Sequence, residues 1–364
     1  MGQLPHILRR MTKVKLADVA RAAGVHPGTA SRALNPSQSG QVSKETVRRV
    51  TRAAERLGYV PNAQARALRT SRSQLVGIVV PDITNPLFPP IVRGAEHVLT
   101  AAGYTVLLTD TDNDRDRERR QIDSLRGRGV DGFIVATALW KDPMLAELAA
   151  AEVVAVLANR STLDSRWPFV GADDRAGVRL AVHHLVELGH RHIIHLAGPQ
   201  AASTGKDRAA AFRAAAKECG LPAGDARVLV CSAYTEVQGR TVMARALAMA
   251  GTRCTAVVAG NDLIALGAID AIIDAGLRCP DDVSVVGFND MPFVERLQPP
   301  LTTVRVPLER MGGIAADMLI TELDGEFSPA APTRTLLGVD LIVRGSTAPK
   351  APYRGGRRRS PRAS

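Results

Sequence analysis

Within "HPGTASRALN", residues 26–35, two hydroxyls, a guanidinium and a carboxamide stand at Thr29, Ser31, Arg32 and Asn35. If the stretch is helical, positions three and four residues apart share a face, and these groups are ligands for phosphate oxygens and base edges. Its chemistry is that of binding.

The flanking residues are small and regularly spaced. Leu16, Val19, Ala20 and Ala23 recur at helical spacing, Gly24 supplies a tight turn, Val25 plugs the corner, and Pro27 suits the first turn of a second helix ending near Leu34. With Ala30, Ala33 and Leu34 facing inward, the two helices cross closely, as in a helix-turn-helix. A third helix is signalled by Ser43 as N-cap, Glu45 in the first turn, the stripe Val47, Val50, Ala54 and Leu57, and Gly58 at the stop.

Charge is unevenly distributed. The 364-residue chain carries a net +11, but residues 1–73 hold 14 Lys or Arg against 3 Asp or Glu, and residues 350–364 add six basic residues with no acid. A head of +11 and a tail of +6 leave the segment between them at about −6. A basic head and tail on an acidic body fit a nucleic-acid-binding module joined to something else. No run of about 18 apolar residues occurs, and "MGQLPHILRRMTK" lacks the apolar core of a signal peptide, so a cytoplasmic protein without a membrane partner is expected. Cys219, Cys231, Cys254 and Cys279 form no CxxC pair and read as core thiols.

From residue 74 the pattern changes. "QLVGIVV", "YTVLLTD", "DGFIVA", "VVAVLA", "HIIHLAG", "TAVVAG" and "DVSVVGF" are apolar runs of a buried parallel sheet, alternating with helical segments such as "RGAEHVLTAAG" and "NDLIALGAIDAIIDAG". A weak internal echo, with Pro81 and Pro199 each after a strand, indicates two similar lobes with a cleft between them. Ligands of such sheets bind beyond the carboxyl ends of the strands. The expected fold class is α/β: an all-α helix-turn-helix headpiece and hinge helix, then a two-lobed doubly wound body.

Other motifs lead nowhere. "GRGVDG" matches G-x-G-x-x-G but lies after a helix and before a strand, the reverse of the dinucleotide context. In "GPQAASTGKD" six residues rather than four separate Gly198 from Gly205, and Asp207 replaces the magnesium-binding hydroxyl of a phosphate loop. His183, His184, His190, His192 and His195 have no H-E-x-x-H and no carboxylate at metal spacing. Neither an enzyme, a cofactor nor a metal is indicated.

"VKLADVARAAGVHPGTASRALN" followed by "VSKETVRRVTRAAERLGYVPNAQARALR" resembles the headpiece of the LacI/GalR family of bacterial transcription regulators. The resemblance implies that Arg32 reads bases while Thr29, Ser31 and Asn35 hold the backbone. Pro27 and Gly28 take the front of the recognition helix, and His26 stands where a capping serine is common. Asn62, Ala65 and Leu68 lie near one face if the hinge becomes helical, and the resemblance places Leu68 in the minor groove. The body, from about Leu75 to Arg344, resembles the family's effector domain, which is of the type I periplasmic-binding-protein kind. Asp82, Asn85, Phe88, Asn159, Arg208, Tyr234, Asn261 and Asn289 then become effector ligands, with Phe212 four residues after Arg208.

The expected organisation is an extension over 1–13, a headpiece over 14–60, a hinge over 61–73, a body over 74–346 and a disordered basic tail over 347–364. The expected function is a homodimeric repressor of a palindromic double-stranded DNA operator. Its effector is expected to be a carbohydrate.

Overall fold

Small residues set the headpiece. Helix α1 (Leu16–Ala22), α2 (Pro27–Ala33) and α3 (Lys44–Leu57) close around Val19, Ala20, Ala23, Ala30, Ala33, Val50, Ala53 and Ala54. Six of these eight are alanine, so the helices approach closely and the core stays thin. Ser43 Oγ accepts from Thr46 N–H to start α3, and Gly58 ends it at φ +64°, a conformation that favours glycine.

The computed structural model describes residues 14–34, 39–60, 72–164, 166–249, 253–325 and 333–350. The chain divides into two units, Met1–Ser73 and Gln74–Ser364. Asn35, Asn62, Ala65 and Leu68 lie outside the described residues.

The second unit has two lobes built the same way. Lobe 1 contains β1 (Leu75–Val80), α4 (Phe88–Ala101), β2 (Thr105–Asp110), α5 (Arg115–Gly127), β3 (Gly132–Val135), α6 (Pro143–Ala150), β4 (Ala155–Ala158) and β5 (Phe169–Ala172). Lobe 2 contains α7 (Asp174–Glu187), β6 (Ile193–Ala197), α8 (Ser203–Glu218), β7 (Ala226–Val230), α9 (Glu236–Ala248), β8 (Ala256–Ala259), α10 (Asp262–Asp274), β9 (Ser284–Asn289) and β10 (Thr302–Arg305). The chain then returns to lobe 1 with α11 (Leu308–Leu323) and β11 (Arg334–Leu337), and ends on lobe 2 with β12 (Asp340–Ile342).

Among the described residues the sheet orders are β11-β5-β4-β3-β1-β2 and β12-β10-β9-β8-β6-β7. All pairs are parallel except β10 with β12. In each lobe the order reverses at the first strand, where a doubly wound sheet opens a ligand crevice. "GRGVDG" closes α5 and turns into β3, with Gly129 at φ +75°.

The body continues past its expected limit at residue 346. Ala348 N–H donates to Ser284 Oγ, Lys350 N–H donates to the Leu188 carbonyl, and Ser346 Oγ lies between Val285 and Thr302. The expected tail over 347–364 therefore begins too early, because these backbone groups extend the hydrogen bonding of lobe 2.

Candidate functional site

In the headpiece the site is organised by its cap. His26 precedes α2, and its Nδ1 accepts from Gly28 N–H at 3.1 Å. The histidine therefore does the work of the expected serine. A ring that accepts at Nδ1 carries its proton on Nε2, which leaves one donor for a partner. Pro27 opens the helix where a missing N–H is harmless. Arg32 is exposed with no ion-pair partner among the described residues, while Thr29 and Ser31 are half-buried beside it. Lys15, Arg48, Arg49 and Arg52 are also exposed.

The second site lies between the lobes of the body. Asn85, Leu87, Phe88, Asn159 and Arg160 come from lobe 1; Thr204, Arg208, Tyr234, Asn261 and Asn289 come from lobe 2. Each group follows the carboxyl end of a parallel strand, at β1, β4, β6, β7, β8 or β9. The space they leave is about 20 Å³, little more than one water occupies. A sugar enters only if the lobes part.

Local chemistry fixes these side chains. Asn85 Oδ1 accepts from Leu87 N–H at 3.1 Å, and Asn261 caps α10 by accepting from Ile264 N–H at 2.9 Å. Asn159 and Asn289 adopt φ of +66° and +115°, which turn the chain at the ends of β4 and β9. The Tyr234 hydroxyl bonds the Thr204 hydroxyl at 2.8 Å, and a Cβ on Gly198 would sit 2.2 Å from the Tyr234 ring. Only glycine at 198 admits that tyrosine.

Arg208 is the most constrained group. Its Nε donates to Asp174 Oδ1 at 2.8 Å, its Nη1 donates to the Gly260 carbonyl at 2.6 Å, and its guanidinium carbon lies 3.7 Å from the Phe288 ring centroid. Burial raises the Asp174 carboxyl above its ordinary value, against the pull of Arg208. Phe212 is not part of this arrangement; it stacks on His195 at 5.2 Å.

Of the eight expected effector ligands, Asn85, Phe88, Asn159, Arg208, Tyr234, Asn261 and Asn289 meet at the cleft. Asp82 does not. Its Oδ1 accepts from Thr84 N–H at 2.8 Å and from the Thr84 hydroxyl at 2.6 Å, so it serves its own turn. Sequence reading missed Leu87, Arg160, Thr204 and, behind them, Asp174. Arg160 and Thr204 had a signal, since they stand in "LANRS" and "AGPQAASTGKD" at strand ends; Asp174 had none beyond opening a helix.

The histidines have other employment. His184 bonds Thr347, His190 spans Thr255 and the Ala348 carbonyl, His192 pairs with Asp225, and His195 bonds the Val258 carbonyl. Burial pushes His195 down to about 4. No group of three His, Cys, Asp or Glu able to hold a metal occurs among the described residues. Among them, too, no helix is long and apolar enough to cross a membrane.

Comparison with known proteins shows what the two parts of the chain are similar to. A family model described as bacterial regulatory proteins, lacI family, matches residues 15–62, and one described as a periplasmic binding protein-like domain matches residues 182–347. The HTH-type transcriptional regulator MalR of Streptomyces coelicolor is 37% identical over 351 residues, covering 94% of this chain and 99% of its own. A solved complex of the transcriptional regulator CelR with cellobiose superposes with a TM-score of 0.69 at 32% identity, covering 92% of this chain and 99% of its own. The lac repressor dimer bound to operator and the anti-inducer ONPF gives a TM-score of 0.78 at 28% identity, with the same coverage.

Proposed function

The chain belongs to the lacI family of bacterial regulatory proteins, and from that premise we propose that it is a cytoplasmic, non-enzymatic repressor whose operator affinity is set by a sugar held between its lobes. It acts as a homodimer on a palindromic duplex. Arg32 reads base edges, Thr29, Ser31 and Asn35 hold the backbone, and His26 offers Nε2–H from the cap. Leu68, with Asn62 and Ala65, forms the hinge that wedges the minor groove.

One observation carries this reading: an arginine locked in place by Asp174 and Gly260 stands with four asparagines, two from each lobe, around the cleft between the lobes. Amides both donate and accept, which suits hydroxyls, and Tyr234 and Phe88 offer faces to a sugar ring. The cellobiose bound to CelR supports the ligand class. A sugar that binds open and closed lobes unequally shifts the balance between operator-bound and free states.

The test is a thermal-shift screen of the full chain against sugars and polyols, followed by operator binding with each hit. A hit that stabilises the protein and changes operator affinity supports the reading. Stabilisation only by molecules without hydroxyls contradicts it.

A further inference from the structure

The two arginines of the cleft are in different electrical conditions. Arg208 is bonded to Asp174 and rests on Phe288. Arg160 lies with its guanidinium carbon 6.0 Å from the Tyr234 ring centroid, and its Nε is enclosed without a hydrogen-bond partner. One cation is matched and the other is not.

No carboxylate forms an ion pair with Arg160 among the described residues. The residues lining the cleft include no Asp or Glu. Asp262 directs its carboxylate to Met291 N–H and the Thr303 hydroxyl, and Asp290 pairs with Arg305 and Arg344. Glu118 acts on Arg160 from behind the cleft without bonding it; its oxygens are taken by Arg115, which also pairs with Asp142, and by the Thr137 hydroxyl. Burial pushes the Tyr234 phenol up, so it stays neutral. An enclosed guanidinium nitrogen without a bonded partner is unfavourable, and burial lowers Arg160 below its ordinary value although Glu118 opposes the shift.

Resting on the sugar-effector reading, we infer that the effector is an acidic sugar whose anionic group, a carboxylate or a phosphate monoester, pairs with Arg160. Its hydroxyls meet the asparagines and Arg208. The guanidinium fork matches either anion with two parallel hydrogen bonds. Closing the lobes on such a ligand gives the enclosed guanidinium a bonded anion, which closing them on a neutral sugar does not.

Isothermal titration of the full chain at fixed ionic strength tests this, with glucose, glucuronate and glucose 6-phosphate, the corresponding galactose series, and inorganic phosphate as the bare anion. At least one acidic member should bind about tenfold or more tighter than its neutral parent, with an affinity that falls as salt is raised. Arg160→Gln should remove that margin and Arg160→Lys should keep part of it. The carboxylate and phosphate arms identify which anion is used. Neutral sugars binding as tightly as both acids, or an acid preference that survives Arg160→Gln, overturns the inference while leaving the sugar reading intact. Binding of inorganic phosphate alone, or of no probe, overturns both.

Discussion

Arg208 and Asp174 hold each other at 2.8 Å, the arginine side chain 3% exposed and the aspartate 13%. The pair joins α8 to the first turn of α7, so the cleft arginine is braced from inside lobe 2 rather than by the ligand. Removing one partner of a buried pair leaves a charge uncompensated, which costs about 3–5 kcal/mol. Asp174→Ala should therefore lower the stability of the body by that order in urea unfolding. A loss under about 1 kcal/mol would mean that the pair behaves as a surface ion pair.

The headpiece cap gives a second prediction. His26→Ala removes the acceptor for Gly28 N–H and should destabilise α2 by about 0.5–2 kcal/mol, whereas His26→Ser restores a capping oxygen. Amide exchange in Thr29–Ala33 would report it: faster in the alanine variant, near wild type in the serine variant. Equal exchange in all three would show that the ring is not the cap.

Arg32 and Arg48 should differ in kind. Arg32→Ala should cost about 1–3 kcal/mol of discrimination between operator and scrambled duplex. Arg48→Ala should weaken both duplexes alike and reduce the salt slope by about one. Anisotropy titrations at several salt concentrations separate the two behaviours, and a uniform loss for Arg32→Ala would remove it from base reading.

Asp262 carries a pH dependence. Burial pushes its carboxyl up to about 7, opposed by the Met291 and Thr303 hydrogen bonds and reinforced by Asp290. The folded protein thus keeps a proton that the unfolded chain loses near its ordinary value of 3.8. This contribution is complete below that value and is lost as pH rises through about 7. Its slope reaches about 1.4 kcal/mol per pH unit. Asp262→Asn should flatten the decline in stability between pH 5 and pH 7 relative to wild type, as read by chemical unfolding; parallel curves would contradict it.

Much of this molecule was legible in sequence because its strongest signals are local. Caps at Ser43 and Gly58, the alanine-rich crossing, and the apolar runs of β1, β3, β4, β6, β8 and β9 each reflect chemistry within a few residues. The missed strands lack that signal. β10 reads "TTVR", yet its two threonines are fully buried, with hydroxyls taken by Thr347, Asp262 and the backbone of Asp290 and Arg344. β5 is four residues containing a glycine, bonded on one side to β11, which lies more than 160 residues along the chain.

The site divides along the same line. Strand-end asparagines announce themselves through turn and cap chemistry. Asp82 did so as well, and its oxygen was consumed by Thr84 instead. The state of Arg160 and Arg208 depends on partners distant in sequence, so neither the brace at Asp174 nor the unpartnered Nε of Arg160 could be read from spacing.

Lobe movement should be visible at Trp140. Its backbone N–H donates to the Ala201 carbonyl in the other lobe, and Lys206 Nζ lies 3.8 Å from its ring centroid, while Ser161 N–H donates to Ser203 Oγ nearby. With Trp167→Phe leaving Trp140 as the reporter, saturating effector should change its fluorescence. No change on a ligand proven to bind would mean that these interlobe contacts persist throughout.

The most direct measurement compares wild type and Arg208→Ala for operator binding with and without the effector found by screening. Because the variant leaves Asp174 unpaired, it is compared at a temperature where circular dichroism shows it folded; there it should retain operator affinity within about threefold, since Arg208 belongs to the effector site and not to the headpiece, and its response to effector should be gone. A variant that still responds at the wild-type effector concentration would contradict control through the interlobe cleft.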